Sequence, residues 1–248
     1  MNITVYLGAN EGNDPALKQA VQELGRWIGE SGNALVYGGS KNGLMGALAE
    51  SVLRAGGEVT GVEPEFFVQG ELQHEGLTEL IVTKDMTERK TKMIALGDAF
   101  IAFPGGTGTL EEIAEVMSKV SLRHLDAPCI LYNLNGYYDS LKALLNEMIC
   151  KGLSSAQRQA GIHFAADLAQ IRALLESDKN HRTGKKPLHR KTSAEAFCKI
   201  SSNLCECSDS GGSGGSSLAG SSGGCRAGTT GGQAESQSSS NCNGNITL

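Results

Sequence analysis

No apolar run in the chain approaches the roughly 18 residues needed to cross a bilayer, so nothing in it reads as a membrane span. Met1-Asn2-Ile3-Thr4-Val5 has neither the basic n-region nor the apolar h-region of a secretory signal, and a cytoplasmic protein is expected. Without secretion, the Asn-x-Thr triplets at Asn2 and Asn245 carry no glycosylation meaning. Cysteine is scarce where it would count. Of seven cysteines only Cys129 and Cys150 fall before residue 178, both within apolar patterns where a reduced thiol is the default. Cys198, Cys205 and Cys207 lack the two-residue Cys-x-x-Cys spacing, so no metal site is expected. Net positive charge is missing too. Residues 1–177 hold 14 Lys/Arg against 22 Asp/Glu, a net of −8, which argues against broad nucleic-acid binding by the domain.

Large apolar residues run out near residue 177. From Asp178 to Leu248 there are 14 Ser and 12 Gly, a composition that cannot bury enough surface to offset the entropy of ordering. Residues 178–248 are therefore expected to be a disordered tail. Six Lys/Arg and two His lie between Lys179 and Lys191, a cluster read as a solvated linker. Residues 1–177 suit a single domain.

Within 1–177, short apolar runs alternate with amphipathic patterns. Strands are expected at 3–7, 34–37, 58–62, 80–82, 99–103, 128–132 and 162–164. Helices are expected from Asp14-Pro15 to Gly32, from Leu44 to Gly56, and over 85–96, 109–122, 137–150 and 166–175. Asp14 before Pro15, and Asp85 with Glu88 three residues on, are helix-start signals. Residues 63–79 read as an irregular loop able to reach over a pocket. This alternation means an α/β domain, a parallel sheet with helices on both faces. Such sheets bind ligands beyond the carboxyl ends of their strands. Three turns converge there: Gly8 onward, Gly38-Gly39-Ser40-Lys41-Asn42-Gly43, and Pro104-Gly105-Gly106-Thr107-Gly108-Thr109.

The last of these turns joins an apolar strand to a helix whose buried face is Ile113, Val116, Met117 and Val120. Its glycines are expected to allow positive φ and close approach to a ligand. The helix beyond offers unpaired N–H groups and a positive dipole end, a phosphate site. The stretch lacks the Gly-Lys-Ser/Thr of a P-loop and the spacing of Gly-x-Gly-x-x-Gly. It adds a carboxylate, Glu112. One reading makes Thr109 an N-cap and Glu112 its N3 partner in a capping box. The other makes Glu112 an acid/base or charge-stabilising group beside a phosphorylated substrate. Both stand at this point.

Two further segments sharpen the picture: Tyr37 to Gly46, and Glu88-Arg89-Lys90-Thr91-Lys92-Met93. Arg89 lies 23 residues before Glu112. With Pro104 to Glu112, these segments make residues 1–177 resemble the LOG (LONELY GUY) family of cytokinin riboside 5′-monophosphate phosphoribohydrolases, whose members are often mislabelled lysine decarboxylases. The resemblance implies a Rossmann-like homodimer. It implies hydrolysis of the N-glycosidic bond of an adenine-type nucleoside 5′-monophosphate, without a cofactor or metal, to free base and ribose 5-phosphate.

It further implies Arg89 and Glu112 as the catalytic pair. Substrate contacts would come from Lys90, Gly105, Gly106, Thr107, Gly108, Thr109, Leu110 and Glu111, from Gly38 and Gly39, from Ser118 where plant relatives have Thr, and from Glu71. The family's Met-His-x-Arg-Lys is here Met86-Thr87-Glu88-Arg89-Lys90, and Ser40 stands where Gly is common. The chemistry suits the residues, because a carboxylate stabilises an oxocarbenium-like sugar and positions water. Arg89 supplies planar donors. No lysine sits in a setting that suggests a pyridoxal Schiff base. Two other readings remain: a general AMP nucleosidase, and a non-catalytic carrier of a phosphorylated ligand.

Overall fold

The computed structural model describes residues 1–68 and 73–184, with side chains to residue 180. Among these residues, seven strands form one parallel sheet in the order β4-β3-β2-β1-β5-β6-β7. The strands are β1 (Asn2–Tyr6), β2 (Ala34–Tyr37), β3 (Val59–Pro64), β4 (Glu79–Thr83), β5 (Ala99–Ala102), β6 (Cys129–Tyr132) and β7 (Ile162–Ala165). The helices are α1 (Pro15–Glu30), α2 (Gly43–Arg54), α3 (Glu65–Val68), α4 (Met86–Leu96), α5 (Thr107–Ser121), α6 (Asp139–Cys150), α7 (Ala156–Gln159) and α8 (Leu168–Gly184).

The strand sequences explain why both sheet faces are covered. In β5, Ala99 and Ile101 point into one apolar layer, Phe100 and Ala102 into the other, and all four are inaccessible. The first layer adds Val21, Leu24 and Ile28 of α1, Leu44, Leu48 and Val52 of α2, and Ile171 and Leu175 of α8. The second is built by Met93 of α4 with Ile113, Val116 and Met117 of α5. Thr4 is the fully buried polar residue of β1 between apolar neighbours; its hydroxyl donates to the Met93 carbonyl at 3.2 Å.

The expected strands and long helices are present, with boundaries shifted by a residue or two in most cases. Three differences are larger. The loop 63–79 holds the final residues of β3 and the short helix α3. Helix α7 arises within a stretch read as loop. Helix α8 continues past Ser177 to Gly184, because Asp178, Lys179 and Asn180 extend the last turns although they begin the polar composition. The rest of the expected tail, residues 185–248, lies outside the described residues.

Strands β1 to β4 step outward on one side, and the chain then returns to place β5 on the other side of β1. The crevice at this switch point, beyond the carboxyl ends of β1 and β5, is where such sheets bind ligands.

Candidate active site

A cavity of about 380 Å³ occupies that crevice. Its wall comes from Leu7 to Asn10 after β1, Gly38, Ser40 and Asn42 after β2, Met45 of α2, Glu63 near the end of β3, Phe67 of α3, Met86 and Arg89 of α4, Gly106, and residues 107–109, 111 and 112 of α5.

One end of the cavity is the start of α5. Gly106 is the N-cap, with extended backbone and no side-chain cap bond. The first helical bond runs from Leu110 N–H to the Gly106 carbonyl at 3.1 Å, which leaves the N–H groups of Thr107, Gly108 and Thr109 without helical acceptors. This is an anion site in the sense expected, but its glycines work differently. None of Gly105, Gly106 and Gly108 has a positive φ. A side chain at Gly105 would strike Thr109, whereas Gly106 and Gly108 leave open space, so the helix end is simply bare towards the cavity.

The capping-box reading of Glu112 is overturned. The helix begins at Thr107, so Thr109 is its third residue and Glu112 its sixth. Thr109 and Glu112 are both buried. Glu112 Oε1 accepts from Arg89 Nη1 at 2.6 Å, and the two side chains are only 8% and 7% exposed. Arg89 reaches this place because α4 is firmly started. The Asp85 carboxylate accepts from Glu88 N–H at 2.8 Å, and the Glu88 carboxylate from Lys84 N–H at 3.0 Å. Arg89 and Met93, four apart, are then the helix's buried face. Arg89 Nε donates to the Val62 carbonyl at 2.9 Å, which fixes the guanidinium against the sheet end. Burial pushes the Glu112 carboxyl above its ordinary range, and the Arg89 charge and hydrogen bond pull against that.

Gly38 is required by this arrangement, since a Cβ there would sit on Arg89 Nη2 and press on Met45. Gly38→Ala is expected to displace the guanidinium, to cost about 1–3 kcal/mol of stability as overpacking does, and to lower turnover. Thermal melting together with a rate measurement checks it.

The expected site residues divide. Arg89, Glu112, Gly38, Gly106, Thr107, Gly108, Thr109 and Glu111 line the cavity. Gly39, Gly105, Lys90, Leu110 and Ser118 do not. Lys90 is rotated about 100° from Arg89 on the helix, and binds Glu111 at 2.6 Å and Glu115 at 3.7 Å. Those contacts lower the Glu111 carboxyl and raise the Lys90 ammonium. Leu110 and Ser118 are exposed on α5. Glu71 falls outside the described residues. Sequence reasoning missed Asn10, Met45, Phe67, Met86 and above all Glu63, a buried carboxylic acid. The signal for Glu63 was a lone acid ending an apolar run just before Pro64.

A family model described as "Possible lysine decarboxylase" matches residues 45–175. A cytokinin riboside 5′-monophosphate phosphoribohydrolase of Rhodococcoides fascians is 41% identical over 177 residues, which covers 71% of this chain and 89% of that protein. The chain belongs to the LOG family. Its LOG relatives include a phosphoribohydrolase of Arabidopsis thaliana, 39% identical over 62% of this chain and 72% of its own, and a probable one of Oryza sativa subsp. japonica, 40% identical over 62% and 69%. Among solved structures, a molybdenum cofactor binding protein of Rippkaea orientalis aligns over 71% of this chain and 95% of its own, with TM-score 0.56 and 24% identity. The molybdenum cofactor carrier protein of Chlamydomonas reinhardtii aligns with TM-score 0.53 and 22% identity. These two share the fold with this LOG chain.

Proposed function

We propose that this enzyme hydrolyses the N-glycosidic bond of cytokinin riboside 5′-monophosphates, N6-modified adenosine 5′-monophosphates, and releases the free base and ribose 5-phosphate. The observation that carries this reading is the buried Arg89–Glu112 pair in the same cavity as the bare end of α5. The 5′-phosphate sits on the N–H groups of Thr107, Gly108 and Thr109, where the dipole and free donors favour an anion. Glu112, whose ionised form Arg89 favours against burial, faces the sugar. Its charge stabilises the cationic character that develops at C1′ as the bond to the base breaks, and its oxygen orients the attacking water. Both acts need an anion that is dry enough to matter and paired enough to persist.

The names of the relatives support the cytokinin substrate, and the assay is direct. Purified protein is incubated with AMP and with isopentenyladenosine monophosphate, and free base is followed by chromatography. Release from the isopentenyl substrate supports the reading. Faster release from AMP makes the enzyme a general AMP nucleosidase. Tight binding of either with no release makes it a carrier.

We also read the protein as a cytoplasmic homodimer, with α4 and α5 at the contact and the sites near it. Leu110 of α5, Leu122 just beyond its end and Met86 at the start of α4 are exposed apolar residues. Light scattering at micromolar concentration is expected to give twice the chain mass; a monomer alone would reject the assembly. Among the described residues no helix is long and apolar enough to cross a membrane.

A further inference from the structure

Glu63 is unexplained by the pair just described. It is the penultimate residue of β3, is only 2% exposed, and lines the same cavity as Glu112. Its Oε2 is buried with no hydrogen-bond partner among the described residues. Buried carboxyl oxygens in folded proteins are ordinarily paired, so an orphan aimed into a cavity points to a group that arrives with the ligand. Its place is built. Gly39, at φ +89°, brings its backbone so close that a Cβ would meet Glu63 Cβ at 3.1 Å and Oε2 at 3.2 Å. The preceding residue, Val62, is tied through its carbonyl to Arg89 Nε at 2.9 Å.

The ligand group can be narrowed by charge and by neighbours. The phosphate has the free N–H donors of the α5 start for itself, which leaves Glu63 to another part of the ligand. Phe67, Met86 and Met45 line the cavity as well, an apolar surface suited to a purine ring. Resting on the reading of the enzyme as a nucleotide N-glycosidase, we propose that Glu63 is the general acid that protonates the departing base.

Glu63 Oε2 gives its proton to a ring nitrogen of the purine while the C1′–N9 bond breaks and its electron pair stays on the base. The water held by Glu112 adds its oxygen to C1′ and gives a proton to Glu112. Solvent then returns a proton to Glu63 and removes one from Glu112, so that one water is consumed per bond. The two carboxyls thus have opposite tasks, one ionised beside Arg89 and one protonated at the base. Burial pushes the Glu63 carboxyl upward, with the Arg89 charge opposing. Besides Arg89, the titratable group facing it among the described residues is the Tyr37 phenol, which burial and Glu63 together keep protonated.

The test compares two leaving groups on one sugar. AMP needs a proton on its base to leave; 4-nitrophenyl ribose 5-phosphate does not, because nitrophenolate is stable. Glu63→Gln keeps shape and polarity but cannot transfer a proton. It is expected to lose about 10²–10⁴ in kcat on AMP, and to stay within a few-fold of wild type on the nitrophenyl substrate. An equal loss on both would make Glu63 a sugar-binding or structural residue and overturn the proposal, as would no loss on AMP. Wild-type pH profiles give an independent check without a variant. Turnover of AMP should fall as pH rises through the Glu63 pKa, and turnover of the nitrophenyl substrate should lack that limb; identical profiles overturn the proposal. If wild type cleaves neither of these nor isopentenyladenosine monophosphate, the glycosidase reading itself has failed, which is a different result from either.

Discussion

Glu112→Gln is expected to fold, to bind nucleotide at least as tightly as wild type, and to release free base about 10²–10⁴ more slowly. Because Glu112 is the sixth residue of α5, the substitution removes no helix cap. The amide oxygen still accepts from Arg89 Nη1, so the geometry of the pair persists, while the charge is gone. Hydrogen bonds to charged groups contribute about 1.5–3 kcal/mol, and retention of an acceptor keeps the loss below that. Binding improves or holds because the phosphate no longer shares its cavity with an anion. Catalysis suffers because nothing offsets positive charge at C1′ and nothing orders the water. Calorimetry for binding, melting temperature for fold and chromatography for free base separate the three effects. A near wild-type rate would remove Glu112 from the chemistry.

The architecture was legible because its signals are periodic. Alternating apolar runs and 3.6-residue faces survive single-residue errors, and Ile113, Val116 and Met117 mark the buried side of α5 wherever that helix begins. What was not legible depends on one or two residues. Thr109-Leu110-Glu111-Glu112 has capping-box spacing, yet Gly106 supplies the cap with backbone alone and moves the cap three residues earlier. With that shift Glu112 turns from an exposed cap partner into a buried group, and its partner comes from a helix 23 residues away. The family resemblance named this pair where local reasoning stalled between two readings. Glu63 escaped both routes. Its burial comes from Gly39 and Arg89, which the sheet order brings to it from β2 and α4, and one acid after an apolar run looks like a strand leaving the core.

Arg89→Met is expected to abolish turnover by a different route, and the difference is readable in pH. Methionine is similar in length but has no donors. Glu112 loses its 2.6 Å partner and the Val62 carbonyl loses its 2.9 Å one. An unpaired buried acceptor costs about 1–3 kcal/mol, so some destabilisation follows. The larger consequence is electrical. In wild type, burial already pushes Glu112 upward and only Arg89 and, weakly, Lys90 pull it down. With Arg89 gone the carboxyl rises further, its protonated fraction grows, and less of the anion needed at C1′ is present. Turnover at neutral pH should then fall by at least about 10². Raising the pH restores the anion, so the ratio of Arg89→Met to wild-type turnover should climb with pH, whereas the Glu112→Gln ratio has nothing to titrate and stays flat. Stability must move the opposite way. A carboxyl whose folded pKa lies above its unfolded value binds more protons in the folded state, so stability is full below the unfolded pKa and is lost as pH rises through the folded one. The melting temperature of Arg89→Met should accordingly drop, relative to wild type, over the same pH interval in which its relative activity recovers. A flat activity ratio would mean that Arg89 acts on the substrate directly and not by keeping Glu112 ionised.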